Sequence, residues 1–270
     1  MPETPRTAWL SNIRLHPIKG LDPVSVPEAR IGPNGGLQLD RVWVLFTVDS
    51  KWVNGKNCPT IHRIRAEYDP HVSMVTLSAP GHSGKSSASE PVRLAFPQDS
   101  ERAADWFTRY FGFRVIVRYV PEGVPDDGLA PGPTIVSTAS LQAACDLFPG
   151  LQLNEMRERF RTTLEIDGVP AFWEDRLFGQ DENYAVRFRI GEVAFEGSNP
   201  CARCPVPPRN PRTGETLNGF QKQFTDMRRT LLPDSSPRGR FDHFYRLATN
   251  TRVPSTEEGK RLRIGDALIL

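Results

Sequence analysis

Pro200-Cys201-Ala202-Arg203-Cys204-Pro205, with Pro207, Pro208 and Pro211 close behind, is the stretch on which the reading of this chain turns. Proline fixes φ, removes a backbone donor and biases the residue before it away from the helical region, so the segment is expected as a stiff, extended loop. Two thiols presented on such a backbone suit metal ligation or redox chemistry. Three ordinary readings compete with that one. A structural zinc site needs about four ligands, and Cys58 and Cys145 are single cysteines without histidine spacing. A thioredoxin-type dithiol places its first thiol at a helix N-terminus, which the prolines disfavour. A cysteine pair with no function, buried or on the surface, is equally compatible with the spacing.

Outward from this segment, 270 residues allow one large domain or two closely packed ones. A hydrophobic fraction of 38% with 25 prolines points to a loop-rich globular protein dominated by strands. The 34 basic and 32 acidic residues leave a net charge of +2, too balanced for nucleic-acid or membrane binding as the main role. Any anion site is therefore expected to be local. Four cysteines without a disulfide framework, and no signal peptide, make a reducing cytoplasm the expected compartment. No apolar run of about 20 residues predicts a membrane span.

The pattern along the chain predicts short strands at Trp9 to Leu15, Val24 to Ile31, Val42 to Val48, Ile61 to Tyr68 and Val72 to Leu77, with a turn at Asp49-Ser50. Gly81 to Ser89 reads as a surface loop. Ala104, Phe107, Tyr110 and Phe111 fall at helical spacing within Glu101 to Phe111, ahead of Gly112 and a strand at Val115 to Val120. Pro121 to Pro133 is the candidate boundary, giving domains over 1–125 and 126–270. Beyond it the pattern predicts a strand near Thr134 to Val136 and a helix capped near Thr138 by Ser137, Thr138 or Ser140. A second helix is expected at Asn154 to Phe160, and strands at Thr163 to Ile166, Val186 to Ile190 and Glu192 to Phe195. A helix near Phe220 to Leu231 and a terminal strand pair around Arg261 to Leu270 complete an α+β, mainly β, barrel-like fold with a few peripheral helices.

Cys201-Ala202-Arg203-Cys204 with Pro211-Arg212-Thr213-Gly214 resembles the Cys-x-Arg-Cys and Asp-Pro-x-Thr-Gly signature of MOSC domains, modules related to the C-terminal part of molybdenum cofactor sulfurase. His16-Pro17-Ile18-Lys19 and Leu39-Asp40-Arg41-Val42-Trp43 resemble the Tyr-Pro-Ile-Lys-Ser and Asp-Arg-x-Trp motifs of the N-terminal β-barrel found with them. Phe160-Arg161-Thr162-Thr163 and Phe172-Trp173-Glu174-Asp175 resemble the Phe-Arg-Pro-Asn and Glu-Asp segments between, and Arg263-Ile264-Gly265-Asp266 ends the similarity. Five motifs in the right order cover nearly the whole chain. The fold implied is a MOSC-type β-barrel with an associated N-terminal barrel-like domain.

Within this superfamily the pattern is similar to that of the mitochondrial amidoxime-reducing component and its bacterial relatives, which bind molybdenum on a single pyranopterin and reduce N-hydroxylated substrates. The resemblance implies a molybdenum–molybdopterin cofactor with Cys204 as metal ligand and catalytic residue. It places Lys19, Arg41, Arg161, Thr163 and Arg203 against the cofactor, with Lys56 where relatives have arginine. Thiolate ligation suits a metal already held by dithiolene sulfur, and forked guanidinium groups suit a pterin phosphate. Gly20, Thr162-Thr163 and Ala202 depart from the motifs and change hydrogen-bond partners. Glu174 and Asp175 are candidates for a proton source or a structural network, though a loop carboxylate pair is more often solvated. His243 is a candidate for the rim of a substrate pocket. No cysteine-rich extension for an iron-sulfur cluster is present, so a separate electron-transfer protein of ferredoxin, flavoprotein or cytochrome type is expected beside the small-molecule substrate. The alternative is a persulfide or cofactor carrier without turnover of its own.

Overall fold

The computed structural model describes residues 8–80, 90–125 and 127–270. The expected Gly81 to Ser89 loop lies outside them. Trp9–Leu15 forms β1, Val24–Val26 β2 and Glu28–Arg30 β3. One continuous strand expected from Val24 to Ile31 is thus divided at Pro27, whose missing N–H interrupts pairing. Trp43–Thr47 is β4, and its turn at Asp49-Ser50 is closed by the Thr47 N–H donating to the Lys51 carbonyl at 2.9 Å. The strand expected at Ile61 begins four residues late. Pro59, pre-set for a helical first turn, opens a 3-10 turn over Pro59–Arg63 before β5, Arg65–Tyr68.

β6 (Met74–Ser78), β7 (Val92–Ala95), helix α1 (Ser100–Phe111) and β8 (Val115–Tyr119) follow. β5, β6 and β7 form one antiparallel sheet, while β4 pairs with β8. The two small sheets and α1 enclose a shared core that includes Ile18, Trp43, Leu77, Trp106 and Phe107. Gly112 ends α1 in the left-handed conformation that a residue without Cβ adopts at little cost.

The second half runs through β9 (Ile135–Ser137), α2 (Thr138–Cys145), α3 (Leu153–Phe160), β10 (Leu164–Asp167), β11 (Val186–Ile190) and β12 (Val193–Ala202). α4 (Phe220–Thr230), β13 (Arg246–Arg252), β14 (Arg261–Arg263) and β15 (Leu268–Ile269) complete the chain. Ser137 is the cap of α2, its hydroxyl accepting from the Ser140 N–H at 3.1 Å.

The main sheet has the order β15-β11-β12-β13-β9-β10-β1-β2. It closes on itself, because Trp9 bridges Ala267 and the Leu268 N–H donates to the Ala8 carbonyl at 2.8 Å. The result is a barrel whose interior holds Leu10, Ile13, Ile166, Phe188 and Phe195. β1 and β2 thus hydrogen-bond into a barrel otherwise built from the second half of the chain. β14 and β15 do not pair with each other as expected; β14 joins β3 and β15 joins β11, separated by Gly265 at φ +96°. Outside the barrel α2, α3 and α4 pack around Phe148, Phe160, Phe220 and Phe224. Burying each such ring contributes on the order of 2–3 kcal/mol of transfer free energy.

Alternation along β1 sends Ile13 and Leu15 into the barrel core, leaving Arg14 and His16 on the other side, both also buried. This polar buried face is the floor on which the candidate site stands.

Candidate cofactor and metal site

Cys201 is not on a loop. β12 continues through Ala202, because register shifts at Gly197/Asn199 and Pro200/Ala202 absorb Pro200 at irregular positions of the ladder. The Arg203 N–H then donates to the Tyr245 carbonyl at 3.0 Å, so the chain is still held when it reaches Cys204, which is half-buried on the loop beyond the strand. Both thiols are free. Arg203 turns inward, where one guanidinium nitrogen lies 3.1 Å from Cys201 Sγ and another donates to the Phe160 carbonyl, the last residue of α3. The cysteine segment and the end of α3 are therefore tied together by one side chain.

Arg161 follows at φ +52°, the left-handed cap of α3, and its N–H donates to the Arg157 carbonyl at 2.9 Å. Its side chain lines a cleft with Gly20, His62, Arg65, Glu158 and Pro211. Thr163 is buried, its N–H donating to Thr134 Oγ1 at 3.2 Å and its carbonyl accepting from the Arg14 N–H at 2.8 Å.

Lys19 and Arg41 meet at a second corner. The Lys19 N–H donates to the Trp43 carbonyl at 2.8 Å, and Nζ donates to the Val124 carbonyl at 3.2 Å while standing 5.4 Å from the Trp52 ring centre. Arg41, at φ +55°, pairs with Asp40, whose Oδ1 accepts from the His16 N–H at 2.7 Å. The Val124 N–H donates to the Arg41 carbonyl at 3.1 Å, so the connector holds the Lys19 ammonium and the Arg41 backbone. Lys56 is exposed, on a turn where its N–H donates to Asn54 Oδ1 at 2.9 Å.

The Glu174-Asp175 pair is fully buried in the 3-10 turn Trp173–Leu177. The expectation of a solvated loop pair is corrected here, because Asp175 takes the buried Arg228 and a hydrogen bond from Ser236, and Glu174 accepts from Ser140 at 2.9 Å. Burial and the neighbouring Asp175 push the Glu174 carboxyl up to about 7. Its surroundings are those of a structural network. His243 is exposed, and its Nδ1 accepts from the Tyr245 N–H at 3.2 Å.

Arg14, His62, Arg209 and Tyr245 lie outside the sequence motifs. Buried nitrogens without a hydrogen-bond partner among the described residues include Arg14 Nε and Nη1, Arg203 Nε, Arg209 Nε and His62 Nε2, beside His16 Nδ1, Trp43 Nε1 and Arg228 Nη1. Tyr245, whose buried hydroxyl also lacks a partner, is held well above the usual phenol range by burial, with Arg203 and Cys204 among its neighbours. A buried donor without an acceptor costs about 1–3 kcal/mol, so this concentration of donors fits an anionic, oxygen-rich group such as a pterin phosphate. Among the described residues no group of three or more His, Cys, Asp and Glu is placed to hold a metal ion. A metal at Cys204 would accordingly take its other ligands from a cofactor. No described helix is long and apolar enough to cross a membrane.

Residues 7–114 match the MOSC N-terminal beta barrel domain and residues 134–269 match the MOSC domain. The chain is 24% identical over 237 residues to a molybdenum cofactor sulfurase of Drosophila grimshawi, a similarity covering 76% of this chain and 29% of that protein. It is 23% identical over 276 residues to mitochondrial amidoxime-reducing component 1 of Danio rerio, covering 84% of this chain and 78% of that one. The chain thus spans less than a third of the sulfurase it resembles.

Proposed function

The chain belongs to the MOSC-domain family, with a MOSC N-terminal beta barrel domain preceding the MOSC domain, and from that premise we propose that it is a molybdenum-pterin oxidoreductase acting on N-hydroxylated or N-oxygenated small molecules. The family is linked to molybdenum-cofactor proteins through both relatives. The observation that carries the cofactor reading is that guanidinium nitrogens of Arg203, within the cysteine segment, and of Arg14 and Arg209 are buried without an acceptor among the described residues. They constitute a donor surplus that an anionic cofactor relieves.

In this reading Cys204 supplies the protein's thiolate to the metal, and Lys19, Arg41, Arg161, Thr163 and Arg203 hold the pterin and its phosphate, with Lys56 at the rim. Bound there, the molybdenum cofactor supplies two-electron oxygen-transfer chemistry, by which an N–OH group, two electrons and two protons become N–H and water. The chain's own residues orient and insulate. Arg203 fixes the cysteine segment against α3, and the Asp40–Arg41 pair fixes the corner beside Lys19. Tyr245, kept protonated by burial, offers an O–H donor near Cys204. Electrons come from a separate transfer protein. In this reading the cofactor contacts fall on both sides of the 121–133 connector, with Lys19 and Arg41 before it and Arg161, Arg203 and Cys204 after.

Protein from a cofactor-producing host, reduced chemically and mixed with an amidoxime, is expected to reoxidise and release the amidine. Reoxidation that is independent of N-hydroxylated substrate contradicts the proposal. The similarity to a sulfurase favours a second reading, a persulfide or cofactor carrier. A carrier would release its sulfur or pterin to another protein without substrate-dependent turnover.

A further inference from the structure

Cys201 stands at a bulge in the barrel. Pro200 faces Thr249 and Ala202 faces Arg246, so two residues of β13, Leu247 and Ala248, oppose Cys201 alone. Ala248 holds the bulge at φ +73°, a left-handed conformation that is unfavourable for a residue with a Cβ. Bulges of this kind re-aim the side chains around them. At this one the Cys201 sulfur accepts from Arg203 Nη1 at 3.1 Å, while its S–H donates to the Ala202 carbonyl at 3.8 Å.

The Arg203 guanidinium is held from two directions. Phe160 takes Nη2 on its carbonyl and lies under the cation with its ring, 5.4 Å from ring centre to Cζ. Contacts to one residue leave a planar group free to roll about them, and Cys201 supplies the attachment from the other side. The main chain is tied down as well, because the Arg203 N–H donates to the Tyr245 carbonyl at 3.0 Å. With both Nη atoms engaged, Arg203 Nε is buried without a partner among the described residues, as is the hydroxyl of Tyr245, a residue 5% exposed.

We propose that Cys201 is a positioning residue: by accepting from Nη1 it fixes the plane of Arg203 and so preorganises the Nε–H as a donor to an anionic oxygen of the bound ligand. The identity of that ligand as the pterin rests on the proposed function; the positioning does not. A guanidinium already fixed gives up less rotamer freedom on binding. Cys201 ligates no metal in this role, which distinguishes it from Cys204.

The test compares wild type with Cys201→Ser, which keeps an acceptor, Cys201→Ala, which removes it, Arg203→Lys, and the Cys201→Ala, Arg203→Lys double variant. In the full chain from a host unable to make the pterin, the Arg203 Nε–H resonance, assigned by its loss in Arg203→Lys, reports the fork. It is expected sharp and dispersed in wild type and Cys201→Ser, and collapsed toward the position of free arginine side chains in Cys201→Ala. An unmoved resonance in Cys201→Ala overturns the proposal. In protein from a cofactor-producing host, pterin release is expected ~10-fold faster in Cys201→Ala and near wild type in Cys201→Ser. Because Cys201 acts through Arg203, the double variant should release pterin no faster than Arg203→Lys alone. Additive effects, the mark of a sulfur that only fills space, overturn the proposal. Should Cys201→Ala fail to fold, Cys201→Val takes its place as the variant without an acceptor. If wild type from that host carries no pterin, the cofactor reading fails, and the Arg203 resonance alone decides the positioning.

Discussion

Arg203 holds Phe160 twice, its guanidinium donating to the Phe160 carbonyl and standing 5.4 Å from the centre of the Phe160 ring. The first contact needs a directed N–H, the second a flat cation over a π face. Lysine, a point charge on a flexible stem, cannot supply both. Arg203→Lys is expected to lower unfolding stability by about 1–3 kcal/mol in urea, with an unchanged m-value. It should also lower pterin content more than Lys56→Ala, since Lys56 lies on an exposed turn. A variant as stable as wild type would show that the tie is inessential.

His62 gives a pH dependence of definite sign. Burial first, then Arg161 and Arg209, lower its folded-state value to about 4. The unfolded chain takes up that proton near pH ~6.5. Between these values the unfolded state binds more protons, so the contribution is complete above about pH 6.5 and is lost as pH falls toward 4. The loss is about 3 kcal/mol. Urea midpoints measured across this range should fall less steeply in His62→Gln.

Glu174 contributes the opposite slope. Its folded value of about 7 lies above the unfolded carboxylate, so the native state holds the extra proton. Stability from this group is complete below about pH 4.3 and declines as pH rises toward 7, by about 4 kcal/mol. Glu174→Gln preserves a partner for Ser140 without the buried charge. Its stability relative to wild type should rise from pH 5 to 8; a flat difference would place a second proton acceptor in the network.

Gly214 closes the seam between residues 54–65 and the proline-rich segment after Cys204. It adopts φ +78°, and a Cβ would stand 2.5 Å from the Pro59 carbonyl oxygen. Gly214→Ala incurs both a left-handed backbone penalty and a backbone clash, together more than about 1 kcal/mol. Because Pro59 begins the turn that carries His62, the thermal midpoint should fall. An unchanged midpoint would show that the seam accommodates the added methyl group.

The parts of the fold legible in the sequence are those that local chemistry decides. Alternation marked β1, Gly112 marked the end of α1, and the hydroxyls at 137–140 marked the start of α2. The motifs also led to Arg161 and Arg203, tied to one another through the end of α3. Other features depended on partners far along the chain. Pro200 looked incompatible with a strand until a register shift against β13 accommodated it. Arg14, His62 and Arg209 read as ordinary charged or polar residues, because nothing local distinguishes an exposed arginine from one whose nitrogens are buried by tertiary packing. Glu174 and Asp175 looked like a solvated pair because Arg228, which meets Asp175 in the interior, lies on α4.

The central claim is that Cys204 anchors molybdenum on a pterin. Metal and pterin content should therefore be measured on wild type, Cys204→Ser and Cys201→Ser purified from a cofactor-producing host. The account predicts near-stoichiometric molybdenum and pterin in wild type, a sharp fall of metal in Cys204→Ser, and retention in Cys201→Ser. Folded wild type carrying neither metal nor pterin would contradict it.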